Sequence, residues 1–260
     1  MDKNKRTAGD ILRYVILIAA ACIFVFSAVQ LIQIFLEYRA GTEEYEGLLK
    51  YVQTEPAEDV EETVPEEPEK EGPVPPDIDW EGLRKINGDI IGWLQIEGTE
   101  INYPVVQGTD NSYYLSHTFE KNENGAGAIF IDCANSRDFQ DCNTIVYGHN
   151  MKNGSMFGTL RKYFQSEESL PGNYIWMCTP EKNYRYEIFS SHVVDSGGEA
   201  YTLFSAPDQQ FQEYLGRMKA QSLVDFHIKP GMEDKIITLS TCTGDEATRF
   251  IVQARQEGEY

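Results

Sequence analysis

The chain has 260 residues and a formal net charge of −20, with 42 acidic side chains against 22 basic ones. This length is enough for one sizeable hydrophobic core with accessory segments, but not for two large domains. The strong acidity argues against nucleic acid as a partner, because the phosphates would be repelled.

The first predicted element is a membrane-spanning helix over residues 14–36. This run contains no charged residue, and at about 1.5 Å per residue it is long enough to cross a hydrocarbon core of about 30 Å. The alternative is a cleaved signal peptide, but the apolar part of such a peptide spans only about 7–15 residues.

The charges beside this helix predict its orientation. Acidic residues dominate just after it, and basic residues precede it: Lys3, Lys5, Arg6 and Arg13. Positive charge favours the cytoplasmic side, so residues 1–13 are predicted to be a cytoplasmic tail and the bulk of the chain to be extracellular. The predicted location is therefore the cell membrane, with a single span.

Residues 37–79 are predicted to form an extended, solvated stalk. Their central part reads TEPAEDVEETVPEEPEKEGPVPP, and residues 41–79 hold 14 acidic residues and two lysines. Proline and like charge both oppose collapse into a core. In a polyproline-like form, at about 3.1 Å per residue, this spacer would reach on the order of 100 Å.

Residues 80–260 are predicted to form one mainly-β domain. Gly, Asn, Asp and Pro separate short strand-like runs, which is typical of a β-sandwich or a small barrel. The runs are IIGWLQI, INYPVVQ, GAIFID, NTIVYG, YIWMCT, YRYEIFSSHVV, KIITLSTC and RFIVQA.

Two helices are predicted beside these strands. DIDWEGLRKING is typical of a short helix with Asp77 or Asp79 as its N-cap. A longer helix is predicted over residues 207–221, with Asp208 as its cap. Its apolar residues recur at helical spacing: Phe211, Leu215 and Met218.

The cysteines predict neither a zinc site nor a dense disulfide framework, because no two of the five form a C-x-x-C pair. Cys133 and Cys142 flank one loop, and a disulfide between them outside the cell is an open alternative. The acidic loop residues lack the spacing of a calcium site, so no metal or other cofactor is predicted.

Cys242 is the strongest candidate for chemistry. In IITLSTC, side-chain alternation puts Ile237 and Leu239 on the face that goes to the core, which leaves Cys242 on the more polar face at the end of the strand. A structural cysteine would more naturally lie on the apolar face. In RFIVQA, alternation puts Arg249 on the strand face opposite to that of Phe250. Arg249 could therefore lie on the same side of the sheet as Cys242.

A cysteine nucleophile usually needs a histidine to transfer protons. His149 directly follows NTIVYG and begins a loop, and a strand end beside a loop is well placed for a site. Its spacing alone leaves catalytic and structural roles equally open. Structural roles are expected for the other histidines: His117, His192 and His227.

Together these residues resemble the sortases, which are membrane-anchored cysteine transpeptidases of mainly Gram-positive bacteria. The motifs that carry the resemblance are YGHNM (147–151), LSTC (239–242) and RF (249–250). INYPVVQGTDNSYYL (101–115), GAIFID and the predicted late helix are similar to class B sortases. The resemblance covers about residues 80–256.

The resemblance implies a closed β-barrel, with a helix between its sixth and seventh strands, and a Cys–His–Arg site that needs no cofactor. Cys242 would attack the threonine carbonyl of a surface protein's C-terminal sorting signal and form a thioester. His149 would protonate the leaving amine and then deprotonate the amino group of a peptidoglycan precursor. Arg249 would hold the substrate backbone and stabilise the oxyanion.

The same resemblance implies which residues line the sorting-signal groove: Asn111, Leu115, Tyr147 and Ser240. Class B sortases suggest a signal of the Asn-Pro-X-Thr or the Leu/Ser-Pro-X-Thr-Gly type.

Two features depart from the family pattern. The interval from Cys242 to Arg249 is short and contains Asp245 and Glu246, whose charges either raise the pKa of Cys242 or organise Arg249. The acidic stalk is also longer than this class usually needs.

Two other functions stay open: an extracellular cysteine protease, and a non-catalytic binding module on a stalk.

Overall fold

The structure is a computed structural model, and it describes residues 8–53 and 73–260. The α-helices in these ranges are α1 (Ala8–Leu48), α2 (Trp80–Ile86), α3 (Leu160–Phe164) and α4 (Gln209–Ala220). The strands are β1 (Val52–Gln53), β2 (Asp77–Ile78), β3 (Ile90–Ile96), β4 (Asn102–Val106), β5 (Ile129–Ile131), β6 (Asn143–Tyr147), β7 (Tyr174–Cys178), β8 (Asn183–Asp195), β9 (Ile236–Cys242) and β10 (Thr248–Glu259).

Strands β3 to β10 close into a barrel in the order β10-β8-β7-β3-β4-β5-β6-β9. The predicted closed barrel is therefore confirmed, and α4 lies between its sixth and seventh strands. Neighbouring strands are antiparallel except for two parallel pairs, β4 with β5 and β6 with β9. Because β6 and β9 are parallel, their carboxyl ends meet at the same end of the barrel.

The two faces of β9 differ as the alternation predicted. Ile237 and Leu239 belong to the core cluster inside the barrel. Ile236, on the opposite face, belongs to a second cluster, in which α4 contributes Phe211 and Leu215. Helix α4 and the short helical turn before it therefore cover the outer face of the strand.

Side-chain caps define the starts of two helices. The Asp79 carboxylate accepts a hydrogen bond from the Gly82 N–H at 2.9 Å at the start of α2. The Asp208 carboxylate accepts one from the Phe211 N–H at 3.0 Å at the start of α4. Each bond satisfies a backbone donor that the helix cannot pair internally, so both predicted helix starts are confirmed.

Helix α1 carries the apolar run. One segment of it, within Leu12–Tyr51, is long and apolar enough to cross a membrane, with a mean hydropathy of 2.7 and none of its most apolar window buried. The helix has 41 residues, which corresponds to about 60 Å, or roughly twice the thickness of a hydrocarbon core.

The expected stalk does not begin at residue 37. Helix α1 continues without a break to Leu48, and its last turns pack against the barrel domain. Tyr45 and Leu48 are 7% and 1% exposed. The Glu44 carboxylate accepts hydrogen bonds from the Thr118 hydroxyl at 2.8 Å and the Glu120 N–H at 2.9 Å. The buried side chains of Tyr45 and Leu48 and the hydrogen bonds of Glu44 thus hold the end of α1 on the barrel domain. The acidity of this stretch had suggested a solvated chain.

The two ends of the acidic, proline-rich segment lie side by side. Val52 pairs with Ile78 and Gln53 pairs with Asp77 in the antiparallel β1–β2 ladder. Residues 54–72, the centre of the predicted stalk, lie outside the described residues. The β1–β2 pairing therefore places the two ends of this segment next to each other on the domain.

The disulfide considered for Cys133 and Cys142 is absent, since both thiols are free. The Cys133 side chain is exposed and that of Cys142 is half-buried.

Candidate active site

A cleft of about 350 Å³ opens where β6 and β9 end. All seven residues that the sequence singled out line this cleft, together with five others. Its lining consists of Asn111, Leu115, Phe130, Tyr147, Gly148, His149, Ser196, Tyr201, Ser240, Thr241, Cys242 and Arg249. The fold thus brings together residues that are up to 138 positions apart.

The Arg249 guanidinium is held by backbone carbonyls. Its Nη1 donates to the carbonyl oxygens of Glu246 at 2.9 Å and Thr248 at 2.8 Å. Glu246 therefore holds Arg249 through its main-chain carbonyl and not through its charge, so this contact is neither of the two charge effects that the sequence left open. The Asp245 carboxylate instead accepts the Ala247 N–H at 2.9 Å and stabilises the turn.

The His149 ring is anchored by a carbonyl. Its Nε2 lies 2.7 Å from the carbonyl oxygen of Leu115. A carbonyl oxygen only accepts, so Nε2 carries the proton and Nδ1 is the atom left to exchange one. The preceding residue must be a glycine, because a Cβ at Gly148 would lie 2.5 Å from the Ile129 Cδ1 and 2.6 Å from the Phe157 ring.

Asn150 connects the His149 loop to the Cys242 strand, and the sequence reasoning missed it. Its side-chain amide donates to the carbonyl oxygen of Cys242 at 2.8 Å. The bond fixes the separation of two segments that are 92 residues apart. The only sequence signal was the position of Asn150 directly after His149.

Asp132 organises one wall of the cleft. Its carboxylate accepts hydrogen bonds from the Tyr147 hydroxyl at 3.0 Å and the Asn111 amide at 2.8 Å. The Asn111 side-chain oxygen accepts the Cys133 N–H at 2.8 Å. Burial, followed by the negative charge of Asp132, raises the pKa of Tyr147, so its phenol remains a donor.

Tyr201 lies beside Tyr147 in the cleft lining, and no sequence signal pointed to it. Its hydroxyl lies 2.8 Å from the Ser240 hydroxyl. Its ring stacks on Tyr147 with the centroids 6.3 Å apart. Burial raises the pKa of Tyr201, although the hydrogen bond to Ser240 opposes this. Tyr201 reaches the cleft because the turn at Glu199–Tyr201 folds over the outer face of β9.

Among residues 8–53 and 73–260, no group of three or more His, Cys, Asp or Glu side chains is arranged to hold a metal ion.

Comparison with known proteins identifies the family. The model of the sortase domain matches residues 94–257. The chain belongs to the sortase family. Sortase B of Listeria monocytogenes is 35% identical over 176 residues, which cover 66% of this chain and 72% of that protein.

Solved sortase B structures share the fold. The Bacillus anthracis enzyme in complex with AAEK1 superimposes with a TM-score of 0.69 at 30% identity, over 85% of this sortase and 98% of that chain. A Staphylococcus aureus sortase B–substrate complex has a TM-score of 0.63 at 32% identity, over 68% and 83% of the two chains. This sortase is therefore a class B cysteine transpeptidase with an eight-stranded barrel.

Proposed function

We propose that this sortase cleaves a C-terminal sorting signal after threonine and transfers the surface protein to an amino group of a peptidoglycan precursor. The observation that carries the proposal is the convergence of Cys242, His149 and Arg249 on one cleft. The Cys242 thiolate attacks the threonine carbonyl carbon, and the amide nitrogen leaves with the residues beyond it. A thioester keeps the acyl group activated, so an amine resolves it without an external energy source.

His149 is the proton carrier in this proposal. Because its Nε2–H is bonded to Leu115 O at 2.7 Å, Nδ1 gives a proton to the leaving amine. In the second half-reaction Nδ1 takes a proton from the incoming amine.

Arg249 stabilises the oxyanion and orients the substrate backbone. Its Nη1 is engaged with two carbonyls, and these are its only hydrogen-bond partners in the described part of the chain, which leaves Nε and Nη2 for the substrate. A guanidinium remains charged at every physiological pH, so this stabilisation does not titrate away.

The sorting signal binds along a polar–aromatic surface of the cleft. Tyr147 and Asn111 share Asp132 in one part of this surface, and the Ser240–Tyr201 pair lies next to Tyr147. Leu115 contributes an apolar contact beside His149 and is 45% exposed, so a ligand is able to reach it. The substrate complex of Staphylococcus aureus sortase B supports a peptide ligand for this cleft.

The membrane helix holds this reaction outside the cell. The basic residues at positions 1–13 and the acidic ones after Leu36 favour a cytoplasmic N-terminus and an extracellular barrel. In this orientation the cleft meets both surface proteins with a sorting signal and the precursor amine.

Intact mass spectrometry of the full chain in detergent tests the proposal. The chain is incubated with Asn-Pro-X-Thr-type and Leu/Ser-Pro-X-Thr-Gly-type peptides, first without an amine. We expect an adduct of the peptide minus its leaving group on the native chain and none on Cys242→Ala. Cleavage that persists in Cys242→Ala would refute the mechanism.

A second incubation, with an oligoglycine amine, separates transfer from hydrolysis. We expect the peptide–glycine product to replace the hydrolysed one. If only the hydrolysed product forms, the enzyme acts as a cysteine protease on these peptides.

A further inference from the structure

We propose that Tyr45, on the part of α1 that follows the apolar run, is a positioning residue for His149. This role presupposes the proposed function, because Tyr45 acts only through His149. Tyr45 is 7% exposed and is connected to two segments: the one at Gly127, which lies against the imidazole, and the loop after His149, which bonds to the His149 main chain.

The first connection runs through the Tyr45 hydroxyl. It donates to the carbonyl oxygen of Gly127 at 2.6 Å and accepts the Phe119 N–H at 3.1 Å. Gly127 has a φ of +57°, and a Cβ there would lie 3.0 Å from both the His149 Cδ2 and the carbonyl oxygen of Leu115. The Gly127 backbone therefore lies against the ring edge of His149 and against the carbonyl that accepts its Nε2–H.

The second connection runs through the Tyr45 ring. The ring packs edge-on against Tyr103, with centroids 5.4 Å apart and an interplanar angle of 84°. The Tyr103 hydroxyl accepts the Met156 N–H at 2.9 Å. Next to it, the Phe157 N–H donates to the His149 carbonyl oxygen at 3.0 Å. The same aromatic pair thus supports the loop that follows His149.

The end of α1 does not depend on the Tyr45 hydroxyl for its docking. Glu44 binds Thr118 and the Glu120 backbone on one side. On the other side, the Thr42 hydroxyl accepts the Asn153 amide at 3.2 Å. Tyr45→Phe therefore retains the docked helix and the packing on the neighbouring ring, and it removes only the two hydroxyl bonds.

Loss of these bonds leaves two buried backbone groups, on Gly127 and Phe119, without their partner. The backbone around Gly127 and Phe119 shifts to find other hydrogen-bond partners. The His149 imidazole then no longer has the Gly127 backbone fixed against its edge. A misplacement of about 1 Å is enough to slow a catalytic step, whereas the hydrogen-bond and ring partners of Tyr45 in the described part of the chain are not among the residues that line the cleft. The change is therefore expected in kcat rather than in KM.

The test compares two tyrosine variants of the full chain in detergent. Tyr184→Phe is the matched control, because Tyr184 is 5% exposed and its hydroxyl also bridges two loop groups. It accepts the Gln140 amide at 3.1 Å and donates to the Asp138 carbonyl oxygen at 3.3 Å, at the opposite end of β8 from the cleft. We expect kcat for sorting-signal cleavage to fall about tenfold in Tyr45→Phe, with KM within about twofold and Tyr184→Phe unchanged.

A readout that needs no substrate accompanies the kinetics. Nitrogen-15 NMR of labelled histidine, assigned with His149→Gln, reports which imidazole nitrogen carries the proton. We expect the Nε2–H tautomer for His149 in the native chain and in Tyr184→Phe, and a mixture of tautomers in Tyr45→Phe.

Equal behaviour of the two variants in both readouts would overturn the positioning role, whether both are active or both are impaired. A native chain that cleaves none of the peptides would instead refute the proposed function. In that case the tautomer comparison still decides whether Tyr45 positions His149.

Discussion

Cys242 and Arg249 lie directly opposite each other on the antiparallel strands β9 and β10. The short interval between them is the length of the turn that joins the two strands. Cross-strand neighbours have Cβ atoms about 4.5–5.5 Å apart, so an oxyanion formed beside the thiol lies within reach of the guanidinium. The turn also supplies the Glu246 carbonyl that orients the arginine.

Arg249→Lys is therefore expected to lower kcat by about 100-fold while the fold is retained. A lysine ammonium cannot bind two backbone carbonyls and also present two N–H groups to the substrate. Steady-state kinetics with a sorting-signal peptide measures the effect. Arg255→Lys, whose guanidinium pairs with Glu187 at 2.8 Å further along β10, is the control, and a comparable loss of kcat in both variants would contradict a specific role for Arg249.

Tyr201→Phe is expected to raise KM by about three- to tenfold, with little change in kcat. The variant keeps the stacked ring and loses the 2.8 Å bond to Ser240, so the groove wall loses one fixed polar group. A double-mutant cycle with Ser240→Ala measures the coupling. Additive effects on kcat/KM would show that the two hydroxyls do not bind substrate as a unit.

His192 makes the stability of the fold depend on pH. It is 2% exposed, its Nδ1 lies 3.0 Å from the Ser190 hydroxyl, and its Nε2 has no partner among the described residues. Burial lowers the pKa of His192 to about 4, below the value of about 6.5 in an unfolded chain. The unfolded state therefore binds more protons between these two values, and stability is lost as the pH falls through this range.

His192→Gln is expected to reduce this loss. Between about pH 7 and about pH 4.5, the native chain should lose roughly 2–3 kcal/mol more unfolding free energy than the variant. Denaturant unfolding at the two pH values measures the difference. His227→Gln, at an exposed histidine, should retain the native slope, and equal slopes in all three proteins would contradict the assignment to His192.

The acidic, proline-rich segment between β1 and β2 is not expected to be needed for the active site to reach a membrane-anchored substrate. Replacing residues 55–75 by a short Gly-Asn-Gly turn joins two ends that already pair in β1 and β2. Folding and cleavage of a membrane-anchored substrate should be unchanged within about twofold, since loop length changes the closure entropy only slightly. If the segment instead sets the distance between the membrane and the active site, the shortened variant would cleave the membrane-anchored substrate much more slowly and a free peptide at the native rate. That pattern would contradict the prediction.

Local patterns in the sequence were sufficient for the elements and for much of the site. Strand alternation predicted the two faces of β9, and Asp79 and Asp208 marked the helix starts, because these signals depend on near neighbours in the chain. The apolar run predicted a segment able to span a membrane for the same reason. Cys242, His149 and Arg249 were found by their motifs, and the structure brings them to one cleft.

Composition failed where long-range contacts decide the structure. The acidity after residue 36 suggested a stalk, but Tyr45 and Leu48 bury themselves against the domain and Glu44 finds partners more than 70 residues away. The hydrogen bonds of the Glu44 carboxylate replace the water that a charged group otherwise binds. The sequence around Glu44 contains no signal of these distant partners.

The apolar helix, the strand faces, the helix caps and the motif residues were predictable from sequence, because each depends on periodicity or on groups within a few positions. Contacts between distant parts of the chain could be seen only in the folded molecule: Asn150 bonds to Cys242, Tyr201 bonds to Ser240 and Tyr45 bonds to Gly127. These contacts join residues 39 to 92 positions apart. They exist because parallel β6 and β9 bring distant strand ends together and because α1 docks on the barrel beside them.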